Sequence, residues 1–465
     1  MARDIRFDRH MSDTEALMWA LESDPVLRSA FSNLTLLDRP VDFERFRARM
    51  ASTATALPRL RQRVAEQVGG LAAPNWVEDA LFDIDFHVRR MAVPPPGTER
   101  QVLDLAAVLS SDPFDRARPL WQFTLVEGLE GGRGAMIQKL HHAITDGEGG
   151  VRLSSHFVDL ERDAAAPSAG GEERPPPLPP PRSLADTALG AASDAMRRPL
   201  DLARRAVEGA LQSLAHPGGV PAIAEGAIET ARSLLRQAAV IEAARSPLWA
   251  TRSLRRRLET MSIDLDEAKR AAKALGGTVN DLFVTGAAGA AGAYHRAKGA
   301  PTDVLRMAMP ISTRSTTDEA SNAFTPTRTL VPAGIEDPVA RFEAVRLVLA
   351  ATRAERAVGV VSGMAGVLAS LPTSVLVAAA RQQVGTVDFT TSNVRGAPVE
   401  LYMGGAKVLS NHPIGPMAGT AFNLTTLSYA GRLDMGCVID PAAVDDPELL
   451  RRCLVESFQE LLAAG

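Results

Sequence analysis

A proline-rich stretch in the first half of the chain limits what this sequence can fold into. Residues 163–183 read DAAAPSAGGEERPPPLPPPRS, a composition typical of an exposed, partly polyproline linker. The chain has 465 residues, whereas a single hydrophobic core stops growing near about 250 residues. The linker and the length together predict two to three structural parts.

The segment before the linker, residues 1–162, alternates strand-like and helix-like runs. Ser12 and Glu15 have the spacing of a capping box, which predicts the start of a helix. Residues 80–93 and 119–129 alternate apolar and polar side chains, as half-buried strands do. We therefore predict an α/β domain in this segment.

Two further segments follow the linker. Residues 184–257 are rich in Ala, Leu and Arg, which predicts a helical connector. Residues 258–465 return to a mixed α/β pattern, beginning with a helix over 266–276 that ends at Gly276 and Gly277. The predicted fold class is α/β, with two domains joined by the proline-rich linker and the helical connector.

Composition and the N-terminal residues exclude several classes of protein. A net charge of -4 argues against bulk electrostatic binding, so no nucleic-acid partner is expected. The two cysteines, Cys437 and Cys453, lack CxxC spacing, so they predict neither a zinc ribbon nor a disulfide framework. The chain begins with charged residues instead of an apolar leader, which predicts a cytoplasmic protein.

One uncharged stretch, residues 357–380, is long enough to cross a bilayer. Its glycines, serines and threonines dilute its hydrophobicity, and Pro372 predicts a break because the residue before proline resists helix. We therefore expect two packed helices that meet at this proline and lie against a membrane, in place of a spanning helix.

The sequence KLHHAITDGEGG, residues 139–150, contains the strongest candidate for chemistry. Residues 134–140 predict a strand, and residues 147–163 predict a helix, so the two histidines lie at a strand-to-helix turn. Because side chains alternate across a strand, His141 and His142 are expected on opposite faces.

Three interpretations of this motif remain open from the residues alone: a base for acyl transfer, a metal site, and a structural turn. A metal site needs three or four ligands, and the other histidines offer no matching pair for His142 and Asp146. In the structural interpretation, Asp146 caps the following helix and both histidines are core residues. A serine hydrolase is not indicated, since the chain has no G-x-S-x-G elbow.

The segment HHAITDG resembles the HHxxxDG signature of the CoA-dependent acyltransferase superfamily. Other blocks, taken in order, resemble the bacterial wax ester synthase/diacylglycerol acyltransferases from about Met11 to the C-terminus. These blocks are FDIDFHVRR (82–90), RPLW (118–121), VNDLFVTG (279–286), MPISTR (309–314) and TTSNVRGAP (390–398).

The resemblance implies a fold and a chemistry. The fold would be two chloramphenicol-acetyltransferase-like, or condensation-domain-like, domains with a tunnel between them for acyl-CoA and an alcohol. His142 would be the general base, supported by His141, because a neutral imidazole suits proton transfer at neutral pH. Asp146 would hold an arginine and fix the loop, and Gly147 would keep the turn open. Acyl-CoA would be a co-substrate, with no cofactor and no metal.

Three other blocks carry weaker expectations. Asn280 and Asp281 either contact CoA in the tunnel or simply begin a helix that packs closely through glycine and alanine. The second pair of alternatives concerns Thr391, Ser392 and Asn393, which either stabilise the oxyanion or form a β-turn. Trp121 is expected in the core, on one strand face with Phe123 and Leu125.

The sequence departs from the family pattern in two blocks. Ser321-Asn322 stands where Gly-Asn is expected, and Arg395 replaces a proline. Both blocks are expected near the tunnel, so these changes put the choice of substrate in doubt.

The expected function is O-acylation of a lipid alcohol by a long-chain acyl-CoA, giving triacylglycerol, wax ester or both. The alternatives are acylation of a sugar, glycolipid or polyketide hydroxyl, and a non-catalytic acyl-CoA-binding or lipid-binding protein. Lipid substrates imply peripheral association with the inner membrane face or a lipid droplet. The residues expected to dock are Arg197-Arg198, Arg204-Arg205 and Arg255-Arg256-Arg257, with Trp249 beside the last cluster.

Overall fold

The computed structural model describes residues 10–66, 74–164, 244–312, 324–356 and 373–465. The predicted proline-rich linker from residue 165, most of the predicted helical connector, residues 357–372 of the uncharged stretch, and Ser321-Asn322 lie outside the described residues.

Strands and helices alternate along both halves of the described chain. The strands are β1 (Ala30–Leu37), β2 (Gln62–Ala65), β3 (Asn75–Glu78), β4 (Val88–Ala92), β5 (Trp121–Glu127), β6 (Gly134–His141), β7 (Arg257–Asp264), β8 (Val304–Ser312), β9 (Phe324–Pro332), β10 (Phe389–Arg395), β11 (Tyr402–Met403), β12 (Ala406–Ile414), β13 (Phe422–Tyr429) and β14 (Arg432–Ile439). The helices are α1 (Asp13–Leu21), α2 (Phe43–Ala56), α3 (Ile84–His87), α4 (Glu99–Ser111), α5 (Gly147–Ser154), α6 (Leu265–Ala274), α7 (Val279–Ala297), α8 (Pro338–Arg356), α9 (Thr373–Val384) and α10 (Pro447–Ala463).

The first sheet has the strand order β11-β12-β1-β6-β5-β4. Its central strand β1 pairs antiparallel with β6 on one side, with Ala30 opposite His141, and antiparallel with β12 on the other, with Ser32 opposite Ile414. Residues 402–414 of the C-terminal half therefore complete the sheet of the N-terminal half. The sequence division at residue 258 did not anticipate this crossover, because strand pairing between distant segments leaves no local pattern.

The second sheet has the order β7-β14-β13-β10-β8-β9 and contains only strands from the C-terminal half. Strand β10 is parallel to both β13 and β8, whereas the remaining pairs are antiparallel. Helix α7 forms the centre of the core beside this sheet. Two sheets with covering helices confirm the predicted α/β architecture in two parts.

Local signals set several element boundaries as predicted. The Ser12 and Glu15 capping box begins α1, with the Ser12 amide donating to the Glu15 carboxylate at 2.8 Å. Helix α6 ends before Gly276, whose φ of +77° is a left-handed conformation that glycine adopts without steric cost. Trp121 is fully buried in one cluster with Phe123 and Leu125, which confirms its predicted core position.

Two predicted elements in the N-terminal half are shorter than expected. The strand predicted over 80–93 begins only at Val88, because Asp83 caps the helical turn α3 by accepting the Asp85 amide hydrogen bond. The helix predicted over 147–163 ends at Ser154, and residues 155–157 turn the chain.

The predicted helical connector is wrong in its described part. Residues 244–256 have no helix, since Pro247 breaks the pattern and the Ser246 hydroxyl accepts the amides of Leu248 and Trp249. Trp249 is fully buried, 4.4 Å from the ring of His295, and cannot reach a membrane surface.

The basic cluster 255–257 does not form the predicted cationic face. Arg257 begins β7 and pairs with Glu259 and Glu448, and Arg256 donates to the backbone carbonyls of Ser253 and Arg255. Arg255 alone of the three is exposed. Among the described residues, no helix has the length and hydropathy needed to span a bilayer.

Candidate active site

His141 is the last residue of β6, and its side chain is fully buried. Its Nε2 lies 3.0 Å from Oε2 of Glu22 and 3.3 Å from Oγ of Ser29, and its Nδ1 accepts the amide of Ala143 at 3.0 Å. Because Nδ1 is an acceptor, Nε2 carries the proton and donates a hydrogen bond to the Glu22 carboxylate. The ring is thus fixed in orientation and tautomer.

Glu22 is a site residue that sequence analysis missed. Burial alone raises the pKa of its carboxyl, but the hydrogen bond and charge of His141 and the amide of Ser29 lower that pKa below its ordinary value. The carboxylate is therefore ionised at neutral pH. Glu22 is 119 residues from His141 and belongs to no motif, so nothing in the sequence pointed to it.

His142 has the opposite orientation, as the alternation of side chains predicted. It is partly exposed on the wall of a large cavity, with its ring 4.6 Å from that of Phe31. Burial, followed by the charge of His141, lowers the pKa of His142 to about 4, although Asp146 and the Thr145 backbone act in the other direction. The imidazole is neutral at pH 7 and able to accept a proton.

Asp146 is buried and is the N-cap of α5, where its Oδ1 accepts the amide of Gly149 at 2.8 Å. This confirms the capping role that the structural interpretation assigned to it. Its predicted role in holding an arginine stays a prediction. Sequence analysis also missed Gly149. A Cβ at this position would lie 1.9 Å from the Thr145 hydroxyl, so glycine is the residue that fits beside the cap.

Gly147, at the start of α5, lies close to a strand of the second sheet. A Cβ on Gly147 would lie 3.1 Å from Cγ2 of Val394, a residue of β10 in the second sheet. The glycine therefore lets the start of α5 approach β10 closely. Its predicted role of keeping the turn open stays a prediction.

The cavity that His142 faces has a volume of about 810 Å³ and lies between the two sheets. The first sheet and α5 contribute apolar side chains such as Phe31, Leu140 and Val151, and the C-terminal half contributes Leu401 and Leu427. Both halves are needed to enclose it, as the predicted tunnel between domains required.

The TTSNVRGAP block runs along one wall of this cavity. Ser392 and Asn393 line the cavity as predicted. Thr391 does not, because β10 alternates: its buried hydroxyl donates to the sulfur of Met307 at 3.2 Å, and Thr390 lines the cavity in its place. Arg395, which replaces the family proline, is exposed and is not part of the cavity wall.

Asn280 and Asp281 have different roles. Asn280 accepts a hydrogen bond from the Asn393 amide at 3.3 Å and so contacts the cavity wall indirectly. Asp281 forms a capping box with Thr278 and an ion pair with Arg353 at 2.9 Å. It therefore starts and anchors α7 and is not among the residues that line the cavity, so its contact with CoA stays a prediction.

Close packing of α7 accounts for the small residues after Asp281. A Cβ on Gly286 would lie 2.6 Å from the ring of Phe458, and one on Gly292 would lie 1.8 Å from the Ala333 carbonyl oxygen.

Among the residues that the structure describes, no group of three His, Cys, Asp or Glu side chains is arranged to hold a metal ion.

Comparison with known proteins identifies the family. The family model of the wax ester synthase/diacylglycerol acyltransferase catalytic domain matches residues 11–283, and the model of the C-terminal domain of the same family matches residues 320–462. The chain belongs to this family. A putative diacylglycerol O-acyltransferase of Mycobacterium tuberculosis is 38% identical over 98% of this chain and 92% of its own length. A second putative diacylglycerol O-acyltransferase of that species is 30% identical over 98% of both chains.

Solved structures confirm the expected fold. The wax ester synthase/diacylglycerol acyltransferase of Marinobacter aquaeolei superimposes with a TM-score of 0.66 at 22% identity, covering 98% of this chain and 100% of that one. The first condensation domain of the calcium-dependent antibiotic synthetase gives a TM-score of 0.58 at 14% identity, covering 99% and 97%. The two-part, condensation-domain-like architecture is therefore correct.

Two variants of Asp146 separate its role as the cap of α5 from a role of its negative charge in fixing the loop. Replacing Asp146 with Ala removes the acceptor for the Gly149 amide and should lower the free energy of unfolding by about 1 kcal/mol. Asp146→Asn keeps a capping oxygen and should cost much less. Urea unfolding of both variants measures this difference. Equal destabilisation by Asn and Ala would show that the charge of Asp146, and not its cap, stabilises the loop.

Proposed function

We propose that the protein transfers a long-chain acyl group from acyl-CoA to the hydroxyl of a lipid alcohol, forming triacylglycerol, wax ester or both. The observation that carries this proposal is a neutral histidine, His142, on the wall of a mainly apolar cavity of about 810 Å³. The names of the curated relatives support diacylglycerol as one acceptor.

The proposed reaction needs only one base. The hydroxyl oxygen of the alcohol attacks the thioester carbonyl carbon while His142 takes the hydroxyl proton. The tetrahedral oxyanion then collapses, the carbon–sulfur bond breaks, and the CoA thiolate takes the proton back from His142. The thioester is already activated, so no acyl-enzyme is required.

Each neighbouring residue has a separate proposed task. His141 lies on the other strand face, and it would hold the turn through Glu22 without touching substrate. Ser392 and Asn393 line the cavity and carry donors suited to the oxyanion. The Asn393 amide already donates to Asn280, so Ser392 is our preferred oxyanion donor.

The shape and lining of the cavity favour a lipid acceptor over a sugar. Leu401, Met403, Val408 and Leu427 are among the residues of its wall, and apolar surface of this kind stabilises an alkyl chain by about 25 cal/mol per Å² buried. A sugar hydroxyl buried against these four side chains would find no hydrogen-bond partner among them, which costs free energy.

The function is tested with purified protein and palmitoyl-CoA, offered separately with diacylglycerol, hexadecanol and a sugar acceptor. We expect thiol release and ester formation, in equal amounts, with one or both lipid alcohols. Ester formed only with the sugar would establish the alternative acceptor class. Tight palmitoyl-CoA binding without turnover of any acceptor would instead indicate a lipid-binding protein.

We further propose that the protein associates peripherally with the inner membrane face or a lipid droplet, because its proposed acceptor and product partition into lipid. Parent protein should float with liposomes, and more so with anionic lipid at low salt. The variant Arg197→Ser, Arg198→Ser, Arg204→Ser and Arg205→Ser should float less, with Arg270→Ser as an exposed control. Absence of flotation by the parent would refute the association.

The base generates the main catalytic prediction. His142→Ala should lower kcat about 10²- to 10⁴-fold through loss of general-base catalysis, while calorimetry should still detect acyl-CoA binding. His141→Ala should lower activity and thermal stability together, because it leaves the buried Glu22 carboxylate without its histidine partner. Loss of turnover in the His141 variant with near-native turnover in the His142 variant would reverse the two assignments.

The lowered pKa of His142 adds a pH signature to this prediction. A base is active when neutral, so a pKa of about 4 moves the acidic loss of kcat/KM below the ordinary histidine range near about 6.5. We expect kcat/KM to stay flat from about pH 8 down to about pH 5.5. A decline centred near pH 6.5 would contradict the buried environment that we describe for His142.

A further inference from the structure

A second, smaller cavity adjoins the one that His142 faces. Its volume is about 80 Å³, room for several water-sized groups. Ile414, Gly415, Pro416 and Ala418 line both cavities, so the segment 414–418 is their common wall. A ligand that passes this segment could occupy both spaces at once.

Two arginines, Arg28 and Arg256, line this smaller cavity from different halves of the chain. Among the described residues, neither guanidinium forms a salt bridge. Arg28 donates from Nη1 to the Ser111 carbonyl at 3.4 Å, while its buried Nε has no partner in the described part of the chain. Arg256 donates from one amino group to the backbone carbonyls of Ser253 and Arg255.

Polar groups around the arginines complete the small cavity. The hydroxyl of Ser110, at the end of α4, lines it and is buried without a hydrogen-bond partner in the described residues. The Asp112 carboxylate also lines it and is the one opposing charge among the lining residues. Buried Lys139 donates to the Asp112 carbonyl at 2.5 Å, which places a third cationic group close by.

The capping of α4 explains only part of this arrangement. A cation at a helix C-terminus is favourable, and the contact of Arg28 with the Ser111 carbonyl serves that purpose. It does not account for the unpartnered Nε of Arg28, the unpartnered Ser110 hydroxyl, or a second arginine from the other half. A guanidinium with an unpartnered donor, beside an unpartnered hydroxyl and a second guanidinium, is suited to the oxygens of a phosphate.

We propose that this small cavity binds a phosphate group of the acyl-CoA donor through Arg28 and Arg256. The proposal rests on the proposed function and names the residues that recognise its co-substrate. The pantetheine arm would pass the 414–418 wall and carry the thioester to His142. Arg28 lies two residues before Ala30, which pairs with His141, so the small cavity is near the end of β6. Paired residues share a sheet face, so this is the face of His141, and the arm would cross to His142 at the shared 414–418 wall.

The test compares two acyl donors that differ in their phosphates. Palmitoyl-CoA carries three phosphates, whereas palmitoyl-N-acetylcysteamine presents the same thioester with none. For Arg28→Met and Arg256→Met we expect the KM for palmitoyl-CoA to rise about ten- to a hundredfold, as for loss of a charge-assisted hydrogen bond. The kinetics with palmitoyl-N-acetylcysteamine should stay unchanged.

Two further variants act as controls. Arg255→Met removes the exposed neighbouring arginine, which does not line the cavity, and should leave both donors unaffected. Arg28→Lys keeps the charge but loses the planar fork, so its KM for palmitoyl-CoA should be intermediate. An equal loss with both donors, or no loss with either, would overturn the phosphate site.

Calorimetric binding of CoA keeps this test separate from the proposed function. If the parent protein binds CoA and Arg28→Met binds it at least tenfold more weakly, the phosphate site stands even when no acceptor is turned over. If CoA binds both equally and Arg28→Met instead loses flotation with anionic liposomes, the small cavity recognises a lipid headgroup and our proposal is wrong.

Discussion

The antiparallel pairing of β1 with β12 is the constraint on which the rest of the molecule depends. It joins residues 402–414 to a sheet that otherwise comes from the N-terminal half. A one-residue slip in this pairing would turn the side chains of β12 to the opposite face. Asn411 and Pro413 line the large cavity in the present register, so the slip would remove them and rebuild the wall opposite His142.

This sheet also explains why two adjacent histidines can serve different purposes. The end of β6 sends His141 to a buried polar site with Glu22 and Ser29, and His142 to the cavity. One ring is held in a single tautomer, which fixes the backbone from which the other projects. The low pKa of His142 follows mainly from desolvation of its ring, and the cavity beside that ring has walls from both sheets.

Local patterns predicted several local features correctly, although the elements over 80–93, 147–163 and 244–256 differ from the prediction. The α1 capping box, the β6 strand, the end of α6 and the core position of Trp121 depend on residues close together in sequence. The role of Glu22 and the crossover of β12 depend on contacts between distant segments, which one sequence does not reveal. The position of Thr391 was missed for another reason, because alternation gives two faces and the block does not say which one lines the cavity.

The wall between the two cavities shows how donor and base would be aligned. Ala418 has a φ of +43°, a conformation that costs a residue other than glycine roughly 1 kcal/mol or more. The C-terminal half holds the segment there, since the Asn423 amide donates to the Pro416 carbonyl and Arg252 donates to that of Gly419. His142 is positioned by the first sheet, whereas the wall leaves β12 of that sheet at Ile414 and is held by Asn423 of the second. The distance between an anchored donor and the base is therefore set by how the two sheets fit together, and not by the histidine motif alone.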